Sequence, residues 1–129
     1  MEIGISSSCF YPMLAEESFE KVCSFGVRTA EIFFNSTEEL KPPLLQKFID
    51  TKERYGVSVN TIHPFTAFAE PFMLFGGYER KVHEAIEYYK QYFEAAEKLG
   101  AKAVIIHGGN PPQTKEKEDY YIDVFSRLC

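Results

Sequence analysis

Two histidines stand at the ends of apolar segments, and their surroundings are alike. His63 closes the stretch VNTIH and is followed by a proline, and His107 closes VIIH and is followed by two glycines. An imidazole at the carboxyl end of a parallel strand is well placed to bind a metal ion or to transfer a proton. Each histidine alone could equally be a hydrogen-bonded loop residue, and the glycines could form a plain flexible turn.

The two histidines together carry more weight than either one, because their segments occupy equivalent positions in a repeated pattern. Neighbouring parallel strands lie about 4.8 Å apart. Two rings that face the same side of adjacent strands can therefore reach one ion. The sequence predicts that His63 and His107 line one pocket and are candidate metal ligands.

A third candidate is a carboxylate inside an apolar strand. Glu31 lies in the stretch AEIFF, where a charged side chain is costly to bury unless it is paired or bound to metal. It could contact a substrate, or it could form a structural ion pair with Arg28 or Lys102. His83 lies among Glu and Lys residues of a helix, so we expect it to be solvated.

Apolar strands and amphipathic helices alternate along the chain and must position these residues. Strands are predicted over 2–8, 28–34, 57–63 and 102–107, and helices over 13–25, 42–55, 78–99 and 116–129. Gly26, Gly56 and Gly100 follow three of the helices, as is typical of left-handed C-caps. Strands joined by helices run parallel with right-handed crossovers, which predicts an α/β fold.

Two architectures fit this alternation, a doubly wound open sheet and part of a (βα)₈ barrel. In each of three strands, we expect the residues with candidate chemistry to share one face. These residues are Thr29, Glu31 and Phe33 in strand two, Val57, Val59, Thr61 and His63 in strand three, and Ala103, Ile105 and His107 in strand four. The candidate groups then emerge at the carboxyl ends of the strands, which is the catalytic rim of a barrel. No glycine-rich nucleotide motif favours the open sheet. A barrel needs about 250 residues, so we interpret residues 1–129 as one domain with four βα units, a half-barrel.

The composition excludes several classes of function. The net charge is −5 and no basic run is longer than two residues, which disfavours a nucleic-acid partner. No apolar run approaches the roughly 20 residues of a membrane span, and the amino terminus does not resemble a signal peptide. The three cysteines show no CxxC spacing and are predicted to be free thiols. We therefore expect a cytoplasmic protein without a membrane partner.

Read in order, these segments resemble the sugar phosphate isomerase/epimerase superfamily, the xylose isomerase-like TIM barrels that also include apurinic/apyrimidinic endonucleases of the endonuclease IV type. The matching stretches are IGISS in strand one, FGVRTAEIF in strand two, VNTIHPF in strand three and AAEKLGAKAVIIHGG at strand four. The last stretch is fairly specific, and the others are persuasive mainly through their order. The resemblance covers almost the whole chain but only the N-terminal half of the family's fold.

The resemblance implies a divalent metal ion (Mn, Mg, Zn or Co) at the mouth of the barrel and a ketose or ketose-phosphate substrate. In the endonuclease-like branch, histidines at the positions of His63 and His107 are metal ligands, and in the sugar branch these positions line the pocket. With Glu31 they would orient substrate or metal. The family's shared ligands, two Glu, an Asp and a His on strands five to eight, have no counterpart here, nor do the two acid–base glutamates of the epimerases.

We therefore expect a metal-dependent isomerase or epimerase of carbohydrate metabolism in a truncated or inactive form, with no catalytic residue of its own. One alternative is a non-catalytic half-barrel that serves as a binding or oligomerisation module. A weaker alternative is a fragment of a DNA-repair endonuclease. Because a half-barrel has open edge strands and an inward face that would expose Val, Ile and Phe, we also expect two chains to associate as a homodimer that completes a pseudo-barrel.

Overall fold

The structure, a computed structural model, describes residues 3–129 and divides the chain into two compact units. The first unit comprises residues up to 65 together with 92–105, and the second comprises 66–91 and 106–129. The predicted start of strand one, at residue 2, lies outside the described residues.

The first unit is built on a parallel sheet. Its strands β1 (Ile5–Ser6), β2 (Thr29–Phe34), β3 (Ser58–Pro64) and β4 (Ala103–Val104) lie in sequence order. Helices α1 (Ala15–Ser24) and α2 (Leu44–Tyr55) connect the first three strands, and the helix α4 (Glu79–Leu99) begins in the second unit and ends in the first. This order confirms the predicted α/β class with parallel βα units.

Sequence signals at the helix ends behave as predicted. Gly26, Gly56 and Gly100 have φ values of 75°, 65° and 65°, a left-handed conformation that costs glycine nothing sterically. At the end of α2, the N–H of Gly56 donates to the carbonyl of Glu53. Each of these glycines lets the chain leave a helix and enter the next strand within a few residues.

One face of the sheet forms the core of the first unit. In β2, the side chains alternate between buried and half-buried positions, with Ala30, Ile32 and Phe34 buried. The Phe34 ring centroid lies 5.3 Å from that of Phe48 and 6.3 Å from that of Tyr92. Aromatic rings from α2 and α4 therefore seal this face.

The other face, which carries Thr29, Glu31, Phe33, Thr61 and His63, is half-buried; we call it the polar face. Its composition follows from a β-bulge in β3, because Ala30 pairs with Val59 but Glu31 pairs with Thr61. Two residues of β3 then oppose one residue of β2, and the in–out alternation of the β3 side chains shifts by one residue after the bulge.

The bulge overturns part of the predicted strand faces. Val57 and Val59 are buried, and Val59 shares the core face with Ile62 rather than the polar face with Thr61 and His63. The expectation that the inward face would expose Val, Ile and Phe is therefore wrong for the two valines of strand three, whereas Phe33 on β2 is half-buried. The predicted face of β2, with Thr29, Glu31 and Phe33, is confirmed.

Strand β4 is shorter than predicted. Ladder pairing covers Ala103 and Val104, and the N–H of Ile105 adds one further bond to the carbonyl of Ile62 at 2.9 Å. The N–H of His107 instead donates to the carboxylate of Glu70. Beyond the end of β4, the backbone N–H of His107 is thus bonded to a side chain and not to a neighbouring strand.

The second unit contains α3 (Glu70–Met73), the first part of α4, and α5 (Lys115–Leu128). The short α3 was not predicted, because a four-residue helix leaves no periodic pattern. Val82, Val124 and Leu128 are buried in this unit. The Phe75 ring packs 4.7 Å from Tyr121 and 5.1 Å from Phe125, measured between ring centroids.

Two further expectations from composition can be compared with the structure. All three cysteines are free thiols, as predicted, with Cys23 buried and the other two exposed. Among residues 3–129, no helix combines the length and the apolar character needed to cross a bilayer.

Candidate functional site

His63 lies on the polar face and stacks on an aromatic ring of the neighbouring strand. Its register partner in the sheet is Phe33, and the two ring centroids are 4.6 Å apart at an interplanar angle of 22°. Parallel pairing of β2 and β3 therefore holds the imidazole flat against Phe33 at the carboxyl ends of both strands. The predicted placement of His63 at a strand end is confirmed.

A backbone carbonyl sets the tautomer of His63. Nδ1 of the ring lies 2.9 Å from the carbonyl oxygen of Pro64. A carbonyl oxygen only accepts hydrogen bonds, so Nδ1 carries the proton, and the lone pair of a neutral ring lies on Nε2. Metal-binding histidines ordinarily donate their other ring N–H to such an acceptor, so this arrangement suits a ligand nitrogen at Nε2.

Glu31 lies one row further from the strand ends on the same face. Its carboxylate accepts a hydrogen bond of 2.9 Å from the Thr61 hydroxyl, which comes from the opposing residue of β3. Within residues 3–129, it forms no ion pair with Arg28 or Lys102, so that alternative is not realised. A half-buried carboxylate with one neutral donor keeps further acceptor capacity for a ligand.

Two clefts of similar volume adjoin the polar face, and their positions differ. One, of about 440 Å³, begins at the amino ends of the strands, where Thr29, Ser58 and Lys102 line it, and extends to Glu31 and Thr61. The other, of about 430 Å³, lies at the carboxyl ends and is lined by Ser8, Tyr11, Phe33, Asn35 and Phe65. Since βα proteins bind ligands at the carboxyl ends of their strands, the second cleft is the candidate site.

Hydrogen bonds hold the loops around this cleft. The Ser7 hydroxyl accepts a bond of 2.9 Å from the N–H of Phe33. After β2, the buried carboxylate of Glu39 accepts bonds from the N–H groups of Asn35 and Ser36 at 2.6 and 3.2 Å. Burial raises the pKa of Glu39 despite these two donors. The lining residues Phe33 and Asn35 are thus fixed through their backbones.

His107, in the second unit, contacts a carboxylate that the sequence reasoning missed. Its Nδ1 lies 3.3 Å from Oε2 of Glu70, and its backbone N–H donates to the same oxygen. Glu70 is completely buried. The available signal was an acidic residue inside the apolar stretch AEPFMLF, the same kind of signal that singled out Glu31.

The two glycines after His107 serve different purposes. Gly108 faces open space, whereas a Cβ at Gly109 would come within 2.6 Å of the Tyr121 hydroxyl and 2.9 Å of the Phe75 Cβ. Gly109 therefore allows the backbone to approach these two aromatic residues closely. This packing role was not among the interpretations of the sequence.

The described residues do not by themselves fit a metal centre. Within residues 3–129, no group of three or more His, Cys, Asp or Glu side chains is arranged to hold an ion. Divalent ions such as zinc ordinarily take at least three protein ligands. The assignment of His63 and His107 as ligands stays a prediction, and so does their shared pocket. His83 is exposed, consistent with the solvated position predicted for it.

Comparisons with known proteins agree on the fold. A D-tagatose 3-epimerase-like protein superposes with a TM-score of 0.77 at 23% identity. A sugar phosphate isomerase/epimerase from Parabacteroides distasonis gives a TM-score of 0.68 at 21% identity. A family 2 AP endonuclease from Brucella melitensis gives 0.67 at 13% identity. The chain has the fold of half a TIM barrel.

The matches cover most of this chain but half or less of each matched protein. The epimerase-like match covers 99% of this chain and 47% of the matched structure, so the chain spans about half the length of its structural relatives. An uncharacterised protein of Methanocaldococcus jannaschii is 26% identical over 113 residues, which is 88% of this chain and 37% of that relative. No family model matches the sequence. The resemblance predicted from the sequence is thus confirmed as a likeness of fold.

Proposed function

We propose that this chain is the substrate-binding part of a sugar or sugar-phosphate isomerase or epimerase. The proposal rests on the position of His63 and of the cleft lined by Tyr11, Phe33 and Phe65, which we call the aromatic cleft. Both lie at the carboxyl ends of strands whose fold is that of a D-tagatose 3-epimerase-like protein. This is the end at which βα barrels bind their substrates.

The groups at the cleft suit a ketose. Phe33, Tyr11 and Phe65 offer apolar surfaces to the C–H faces of a sugar, and the Nε2 of His63, which stacks on Phe33, can accept a hydrogen bond from a hydroxyl group. Glu31 lines the other cleft of the polar face and is proposed as a further hydrogen-bond acceptor. His107 is proposed as a further substrate contact. This division of an apolar wall and a few polar groups is common in small-molecule sites.

The proposed reaction moves a proton beside a ketose carbonyl. A base removes a proton from the carbon next to the carbonyl, the charge passes to the carbonyl oxygen, and an acid returns a proton to the other carbon or the other face. The resemblance places both acid–base glutamates on strands five to eight. We therefore assign the four strands of this chain a role in binding and orienting the sugar, and no catalytic residue.

The metal ion belongs to the proposal only in part. His63 and His107 are the ligands that this chain would contribute to Mn²⁺, Mg²⁺, Zn²⁺ or Co²⁺, and the remaining ligands would have to come from outside residues 3–129. The binding role proposed for the aromatic cleft does not depend on the ion.

A second candidate function is a non-catalytic binding or oligomerisation module. It is favoured by the lack, among the described residues, of a cluster of metal-ligating side chains. A DNA-repair role has the support of the structural likeness to an AP endonuclease. The net charge of −5 disfavours it, because phosphate contacts need Lys and Arg.

Titration with D-tagatose, D-fructose and D-fructose 6-phosphate, followed by NMR, tests the proposal. We expect binding of at least one sugar to weaken by about tenfold or more in His63→Ala, because this variant loses both a hydrogen bond between neutral groups and the contact with the imidazole ring. His83→Ala, at an exposed position on α4, is the matched control and should bind as the unchanged protein does. Equal binding by both variants would favour the structural module.

An activity assay addresses the division of roles. With added Mn²⁺ and the same ketoses, we expect no epimerisation by this chain alone. Robust turnover would show that the acid–base groups lie within the 129 residues, and it would contradict the role assigned here.

A further inference from the structure

Glu70 is a completely buried carboxylate whose hydrogen bonds divide between its two oxygens. Oε1 accepts from the Tyr89 hydroxyl at 2.8 Å and from the Thr66 hydroxyl at 3.3 Å. The two hydroxyls also contact each other at 2.7 Å. Burial raises the pKa of Tyr89 above its usual range, so this hydroxyl stays protonated and remains a donor.

The second oxygen, Oε2, faces His107. It accepts the backbone N–H of His107 and lies 3.3 Å from Nδ1 of the same residue. The carboxylate is 0% exposed, whereas the imidazole is 46% exposed. One edge of the ring is therefore directed at a fixed buried acceptor, while the ring as a whole reaches solvent.

This geometry selects a tautomer. A carboxylate oxygen accepts hydrogen bonds, so a bond from the ring to Oε2, which lies 3.3 Å from Nδ1, forms only when Nδ1 carries the proton. The lone pair of the neutral ring then resides on Nε2. A carboxylate behind a histidine is also the common arrangement for a ring that binds a ligand through its far nitrogen.

We propose that Glu70 is a positioning residue, which holds His107 as the Nδ1–H tautomer and makes Nε2 the nitrogen that accepts a hydrogen bond from a sugar hydroxyl. Thr66 and Tyr89 hold the carboxylate from behind, so a turn of the ring would move Nδ1 away from a fixed, buried acceptor. The use of Nε2 by a sugar rests on the proposed function, whereas the tautomer itself does not.

Long-range ¹H–¹⁵N correlation NMR distinguishes the two tautomers of a neutral histidine. The chain has three histidines, so His63→Gln and His83→Gln assign the signals of His107. At alkaline pH, where histidine side chains are ordinarily neutral, we expect His107 to be mainly Nδ1–H. In Glu70→Met, which keeps the length but removes the acceptor, the tautomer ratio should move towards Nε2–H by about tenfold or more.

Tyr89→Phe is the matched control. It removes a hydroxyl from Glu70 and perturbs the same buried cluster, but it leaves both contacts to His107 in place. The His107 tautomer should therefore stay Nδ1–H. If both variants shift the ratio equally, the effect is general loosening of the unit, and the positioning role is overturned.

The unchanged protein decides the matter even if Glu70→Met does not fold. A dominant Nδ1–H signal supports the proposal, and a dominant Nε2–H signal overturns it. The sugar titration is independent of this measurement. If His107 is Nδ1–H but no sugar binds, only the proposed function is contradicted. If a sugar binds but His107 is Nε2–H, only the role of Glu70 is contradicted.

Discussion

At the scale of single residues, burial changes what a side chain can do. Cys23 is 1% exposed, and its burial, followed by the nearby charge of Glu20, raises its pKa from 9.0 to about 11. The thiolate is the reactive form of cysteine, so the thiolate fraction at neutral pH is lower by about a hundredfold. Because the folded-state pKa is raised, the contribution of this thiol to stability is present below about pH 9 and is lost as the pH rises towards 11.

We predict that Cys23 is protected from thiol reagents. In the native protein at neutral pH, Ellman's reagent should modify the exposed Cys9 and Cys129 quickly and Cys23 only after unfolding in urea. Cys9→Ser is the control. It should lower the number of quickly reacting thiols by one and leave the number of slowly reacting thiols unchanged. Three rapid thiols in the native protein would contradict the buried position of Cys23.

At the scale of elements, the loop after β4 shows how one residue sets a close approach. A Cβ at Gly109 would meet the Phe75 Cβ, an atom next to the backbone that cannot easily move away. The same loop carries Asn110, whose carbonyl accepts a bond of 3.2 Å from the Tyr121 hydroxyl. Gly109 therefore links this loop to the aromatic packing of the second unit.

Gly109→Ala and Gly108→Ala form a matched pair of variants. We predict that Gly109→Ala destabilises the protein by roughly 1–3 kcal/mol, the usual cost of overpacking. Gly108→Ala should change the free energy of unfolding by less than about 0.5 kcal/mol, as is usual for exposed positions. Urea denaturation measures both changes, and equal effects of the two substitutions would contradict the close approach at Gly109.

At the scale of the whole molecule, the sheet of the first unit ends in two edge strands. β1 and β4 each have one neighbour in the order β1-β2-β3-β4, so backbone groups on their outer sides are available for pairing. The polar face carries Thr29, Glu31, Thr61 and His63 together with Phe33, whereas Val57 and Val59, which were expected on the inward face, are buried.

We predict that two chains associate at micromolar concentration, with the edges pairing into an eight-stranded pseudo-barrel. Light scattering coupled to size exclusion measures the mass. Ala103→Glu adds a charge at an exposed position of edge strand β4 and should weaken the association by about tenfold or more. Gln46→Glu, on the exposed side of α2, should leave it unchanged. A stable monomer of 14.8 kDa at these concentrations would contradict the prediction.

Much of the fold follows from local patterns. The helical period predicted α4 over 78–99, and the structure has Glu79–Leu99. The apolar spacing of Tyr89, Phe93 and Ala96 favours Phe93 for the buried side of this helix. In the structure, the fully buried ring near the carboxyl end is instead Tyr92, whereas Phe93 is half-buried. Helix periodicity indicates which side of a helix is apolar, but packing against the Phe34 ring places Tyr92 in the core.

For the candidate site, local patterns were enough to place His63 and Glu31 in strands, and His63 at a carboxyl end, because alternation and turn residues are local properties. The separation of Val59 from the face of Thr61 and His63 depends on the folded chain, since the bulge in β3 arises from its pairing with β2. Folding also brings Glu70 to His107 across 37 positions of the chain. Hydrogen bonds between distant segments leave no period in the sequence, so their partners appear only once the chain has folded.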